Sequence, residues 1–130
     1  MLKAIILGAV IFTATLAAGA ARAATEAPFE PQAFAAAQQA GKPILVDVWA
    51  SWCPTCATQA PILHQMSADP AFKDLTIFKV DFDTQKDALR ALAVRSQSTL
   101  IAFRGNTEVG RSVGDTRADS IRALLEKTGQ

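Results

Sequence analysis

The chain has 130 residues, half of them apolar, with 13 Lys and Arg against 12 Asp and Glu. That is enough polypeptide for one domain with its own core, too little for two, and too apolar for intrinsic disorder. A near-neutral balance with no dense basic patch excludes a nucleic-acid partner held by charge.

Residues 1–23 open with Lys3, run apolar from Ala4 to Ala21 with only Thr13 and Thr15 interrupting, and close on Ala21-Arg22-Ala23. A positive start, an apolar stretch and small residues at a terminal A-x-A predict a secretory signal peptide, cut after Ala23. The expected location is therefore exported, in the periplasm. The other reading is an uncleaved membrane anchor, since the run is close to bilayer-spanning length. The Ala and Gly of its second half weaken insertion. Without these residues 11 basic and 12 acidic side chains remain, a net charge of about −1.

Residues 24–30 read as an irregular leader, and residues 31–130 as the folded domain. Pro31 to Ala40 favours a helix, with Pro31 suited to its first turn and Gly41 to its end. Ile44 to Ala50 is a continuous apolar, β-branched run that predicts a buried central strand, with Asp47 its odd member. A helix is expected from Pro54 to about Ser67, a strand over Leu75–Phe82 and an amphipathic helix from Thr84 to Leu92. Thr99–Phe103 and Glu108–Val113 predict two strands joined by the turn Arg104-Gly105-Asn106-Thr107. Thr116-Arg117-Ala118-Asp119 has the form of a helix start, with Ile121, Leu124 and Leu125 as its apolar face. Helices alternating with strands, then a hairpin and a closing helix, imply an α/β fold: a mixed sheet of about four strands between two helical layers.

The chain's two cysteines are Cys53 and Cys56. A structural disulfide usually spans a long loop, whereas two intervening residues make one of the shortest there is. A C-x-x-C where a strand gives way to a helix points instead to redox chemistry. Residues three apart at a helix start share a face, within reach of a disulfide. The helix N-terminus, with its unpaired N–H groups, stabilises a thiolate on Cys53, the attacking species in thiol–disulfide exchange. Cys56, one turn further in, is expected to be the more buried, resolving thiol. With His64 the cysteines make only three ligands, too few for a zinc site within one chain. A metal shared between two chains, or a binding module without turnover, stays as a competing reading.

The stretch Lys42-Pro43-Ile44-Leu45-Val46-Asp47-Val48-Trp49-Ala50-Ser51-Trp52-Cys53-Pro54-Thr55-Cys56, continued by Ala60-Pro61-Ile62-Leu63, resembles the active-site region of the thioredoxin family. Thr99–Phe103 with Val113-Gly114 resembles its closing hairpin. The resemblance implies a thioredoxin-like α/β/α sandwich and a thiol:disulfide oxidoreductase with no cofactor beyond its own disulfide. It implies protein disulfide or dithiol substrates. For an exported reductase it also implies a membrane thiol electron donor; a monomer is expected. Asp47, six residues before Cys53, matches the family's buried acid. A carboxylate in a buried strand is costly to keep charged, which suits it to take the Cys56 proton through water. Lys79 resembles the partner of that acid. Trp52 resembles the aromatic residue beside the nucleophile; Trp49 is either the same kind of residue or part of the core, and the core is the expected place. Pro54, Thr55, Gln97, Ser98 and Gly114 fall where the family meets its substrate chain. One departure stands out. The family's cis-proline facing the cysteines is replaced by Ser98, so either the Gln97–Ser98 bond is cis under strain or the loop has relaxed to trans. Reductase is the expected direction; an oxidant donating its disulfide to folding proteins is the alternative.

Overall fold

A computed structural model describes residues 19–20 and 22–129. Most of residues 1–23, expected to be a signal peptide, and with them the choice between cleavage and anchoring, lies outside the described residues. The elements are β1 (Thr25–Pro28), α1 (Pro31–Gln39), β2 (Pro43–Trp49), α2 (Pro54–Ala68), a 3-10 turn (Pro70–Phe72), β3 (Thr76–Asp81), α3 (Lys86–Ala91), β4 (Thr99–Arg104), β5 (Thr107–Val113) and α4 (Ala118–Glu126).

The sheet has five strands in the order β1-β3-β2-β4-β5 rather than about four. The additional strand is β1, inside the expected irregular leader. It pairs parallel with β3, Thr25 opposite Thr76 and Pro28 opposite Lys79. Four residues ending on proline are a weak strand signal, but proline is tolerated on an edge, where one row of N–H groups has no partner to satisfy. β2 and β3 are also parallel, whereas β4 runs antiparallel to both β2 and β5.

Alternation along β2 sorts its side chains between the two helical layers. Ile44, Val46 and Val48 face a core built with Phe34 and Ala37 of α1 and Ala88 and Leu89 of α3. There Phe34 lies 5.2 Å from Phe29, 5.7 Å from Phe78 and 5.4 Å from Phe103, ring centre to ring centre. Each such fully buried ring contributes roughly 1.5–3 kcal/mol of transfer free energy, which fixes α1 on the sheet. Leu45 faces the opposite core, with Leu63 and Met66 of α2 and Ile121, Leu124 and Leu125 of α4. The same period carries Asp47 to the α2 side. The result is the three-layer α/β/α sandwich that the strand and helix pattern implied.

The start of α4 differs from its expected form. Its N-cap is Arg117, whose side chain makes no capping bond. The carboxylate of Asp115 accepts from the Arg117 N–H at 3.1 Å and from the Ser120 hydroxyl. The Ser120 bond holds the Asp115 carboxyl below its ordinary range, with the Arg117 N–H and guanidinium helping.

Candidate active site

β2 ends at Trp49, and the turn that follows is closed by the Cys53 N–H donating to Ala50 O at 3.2 Å. Cys53 thereby becomes the N-cap of α2, with extended backbone angles, and Pro54 takes the first helical position, where a missing N–H costs nothing. Cys53 and Cys56 form a disulfide with their Cα atoms 5.3 Å apart. The Cys56 N–H donates to Cys53 Sγ at 3.1 Å. The sulfur thus occupies the place of a capping oxygen. Once the bond is reduced, the same N–H and the positive end of a 15-residue helix favour negative charge on Cys53. The expected contrast in burial is absent: Cys53 is 3% exposed and Cys56 8%. Both pack with Ala50 beneath Trp49 and Phe82 in a small cluster of their own.

Asp47 is 4% exposed, and its Oδ2 accepts from Lys79 Nζ at 2.9 Å. The pairing follows from register, since Asp47 and Lys79 are direct neighbours across β2 and β3. A cavity of about 220 Å³ is lined by Asp47, Lys79, Trp49, Cys53, Cys56 and Ala60. It is polar on one wall and large enough for several waters, so a proton can pass between Cys56 and the carboxylate without direct contact. Trp49 is half-buried on this cavity rather than in the core. Its ring centre lies 5.7 Å from Lys79 Nζ, a cation–π distance.

The other expected site residues gather at the same end of the sheet. The CxxC follows β2, Asp83 follows β3, Ser98 precedes β4 and Gly114 follows β5. Trp52 is 56% exposed and is anchored on the β3 side by its Nε1–H, which donates to Asp83 Oδ2 at 2.8 Å. Pro54 is exposed and Thr55 half-buried on the first turn of α2. On the β4–β5 side the Gly114 N–H donates to Ser98 O at 3.0 Å, beside Val113, which is 61% exposed. A Cβ on Gly114 would meet nothing within 4 Å, so its φ of +71° is what calls for glycine there.

Among the described residues no peptide bond is cis, so Gln97–Ser98 is trans. The loop has not relaxed, however: Ser98 is held at φ +58°, left-handed backbone that costs a non-glycine residue about 1–2 kcal/mol. Its N–H donates to Val48 O at 2.7 Å, a bond that proline in this place could not make. Gln97 is half-buried, and its carbonyl accepts from the hydroxyls of Ser96 and Ser98.

The family model described as thioredoxin matches residues 25–127. The chain belongs to the thioredoxin family. It is 42% identical over 86 residues to thioredoxin of Mycobacterium tuberculosis, covering 66% of this chain and 71% of that one. It is 34% identical over 92 residues to thioredoxin of Alicyclobacillus acidocaldarius, covering 71% and 87%. The crystal structure of Trxlp from Edwardsiella tarda EIB202 superposes with a TM-score of 0.75 at 48% identity, covering 78% of this chain and 97% of that one.

As a thioredoxin-family member the chain is a thiol:disulfide oxidoreductase that works through Cys53 and Cys56, without a separate cofactor. Its protein substrates are disulfides or dithiols. Three side chains at this thioredoxin site escaped sequence reasoning: Asp83 under Trp52, exposed Val113, and buried Gln59, whose amide reaches Ser98 O. Val113 had a faint signal, as an apolar residue next to a turn glycine at a strand end. Asp83 and Gln59 had none. The backbone strain yields a first prediction. Ser98→Gly and Ser98→Ala both remove the hydroxyl, so the left-handed φ accounts for most of the difference between them. Denaturant titration is expected to find the glycine variant more stable by about 1 kcal/mol. Equal stabilities would mean that Ser98 does not hold this conformation in solution.

Proposed function

We propose that this thioredoxin-family member is an exported, periplasmic reductase of protein disulfides that is recharged by a membrane thiol electron donor and acts as a monomer. The observation that carries the reductive direction is the Asp47–Lys79 pair, 2.9 Å apart and sharing a cavity with both cysteines. A buried carboxylate there opposes thiolate accumulation in the reduced form. Destabilising the reduced form makes a dithiol the stronger reductant. Export rests on the Lys3, Ala4–Ala21 and Ala21-Arg22-Ala23 pattern.

In the proposed cycle the Cys53 thiolate attacks one sulfur of the substrate disulfide. A mixed disulfide forms and the other substrate sulfur leaves as a thiolate. Cys56 then passes its proton through cavity water to Asp47 and attacks Cys53 Sγ. The second substrate sulfur leaves as a thiolate; the chain ends as the disulfide and the substrate as a dithiol. Lys79 holds the Asp47 carboxylate in place. Trp52, Pro54 and Thr55 form one wall of the substrate surface, and Gln97, Ser98, Val113 and Gly114 the other.

The direction is tested by the equilibrium reduction potential of Cys53–Cys56, titrated in glutathione or dithiothreitol buffers and read by thiol alkylation. A value at or below about −250 mV is expected, near the roughly −270 mV of thioredoxin. The opposing reading, an oxidant, draws support from the Cys56 N–H bonded to Cys53 Sγ, which stabilises a thiolate. A value near about −120 mV would establish it and end the reductase proposal.

A further inference from the structure

Gln59 has no part in the chemistry above, yet it is 1% exposed, deep within α2 and one turn beyond Cys56. Its Nε2 donates to Ser98 O at 3.3 Å and to Asp115 O at 2.9 Å. Its Oε1, equally buried, has no hydrogen-bond partner among the described residues. A core position occupied by an amide with half its bonding capacity unmet is poorly explained by packing, because an apolar side chain of the same shape would leave nothing orphaned. What the amide does supply is reach. One side chain bridges the loop before β4 and the loop after β5, and both to the helix that carries the cysteines.

Among the described residues, the two bonds of Gln59 are the hydrogen bonds that tie these loops to α2. Ser98 sits in a left-handed conformation that its surroundings must enforce. Its N–H is fixed to Val48 O, while its carbonyl takes the Gly114 N–H and the Gln59 amide. We infer that Gln59 is a positioning residue for protein substrates: it clamps the Ser98 and Gly114–Asp115 loops against the start of α2, at a fixed distance from the disulfide. The inference rests on these loops forming one wall of the substrate surface.

Gln59→Met keeps the shape and removes the amide. Ser98 O retains the Gly114 N–H, and Asp115 is only half-buried, so folding should survive, with a melting temperature within about 4 °C of the parent. Amide hydrogen exchange is expected to quicken about tenfold at Ser98 and Gly114 and to stay unchanged in β2 and β3. With insulin as a protein disulfide, KM is expected to rise about fivefold with kcat little changed, the loss of about one well-placed hydrogen bond. Reduction of the small disulfide 5,5′-dithiobis(2-nitrobenzoic acid) and the reduction potential should not move. Val113→Ser, read in parallel, tests the surface itself and should also raise KM for insulin. Unchanged exchange at Ser98 would overturn the clamp. Should Val113→Ser raise KM while Gln59→Met does not, Gln59 fails and the surface stands; if neither raises it, the surface reading fails and the inference with it. An equal loss of rate on both disulfides would make Gln59 part of the thiol chemistry, again against the inference.

Discussion

Cys56→Ser is expected to leave a protein that takes up one equivalent of a disulfide substrate covalently and then stops, with steady-state turnover reduced at least about a thousandfold. Cys53→Ser is expected to lose turnover equally and to form no adduct. Burial does not assign these roles, because exposures of 3% and 8% are too close to distinguish an attacking from a protected sulfur. Hydrogen bonding does. Only Cys53 Sγ stands at the N-cap with a backbone N–H aimed at it, so negative charge is better stabilised there than on Cys56, inside the first turn. Mass spectrometry of each variant after mixing with a mono-mixed glutathione disulfide reads the outcome directly. A stable adduct on Cys53→Ser, with none on Cys56→Ser, would reverse the assignment and show that access outweighs helix-end electrostatics.

What could be read from the sequence follows the range of the interactions involved. β2 was legible because a central strand covered on both faces has to be apolar throughout, and Ile44 to Trp49 is so except for Asp47. That exception marked the acid, and Cys53-x-x-Cys56 marked the helix start, since both are local patterns. β1 was not legible. Thr25 to Pro28 has no strand signature of its own and is ordered by pairing with β3, about fifty residues away. The Trp52–Asp83 bond spans 31 positions and the Gln59–Asp115 bond 56, so neither partner carries a sign of the other. Ser98 falls between these cases. The missing proline was visible, but its consequence depends on Val48 O, Gly114 and Gln59, which are adjacent only once β2, β4, β5 and α2 have assembled. Trp49 was expected in the core. It lies instead at the end of its strand, where the sheet stops and the active-site cavity begins.

Asp47→Asn is expected to slow turnover about a hundredfold, the lower end of what a positioned proton acceptor contributes. The loss should fall on one half-reaction. Attack by Cys53 needs no proton acceptor once its thiolate has formed, and losing a nearby negative charge favours that thiolate, so the burst of mixed disulfide should not slow. Resolution by Cys56 requires that thiol to lose a proton inside a cavity whose carboxylate is Asp47, and the mixed disulfide should therefore accumulate. Stability is expected to respond in the other sense. Lys79 keeps 37% of its side chain in solvent, so losing its partner leaves a charge that water can hydrate. Asp47 has 5%, and Lys79→Met would strand that carboxylate without a counter-ion. Asp47→Asn should thus leave the melting temperature near or above that of the parent, while Lys79→Met lowers it. Rapid-quench alkylation separates the two half-reactions, and a thermal melt in the oxidised state reads the stabilities. If Asp47→Asn slows adduct formation and resolution alike, its carboxylate holds the geometry of the site for both steps rather than taking the Cys56 proton. If it slows neither, the Asp47–Lys79 pair is a structural ion pair alone, and the proton leaves Cys56 directly to solvent.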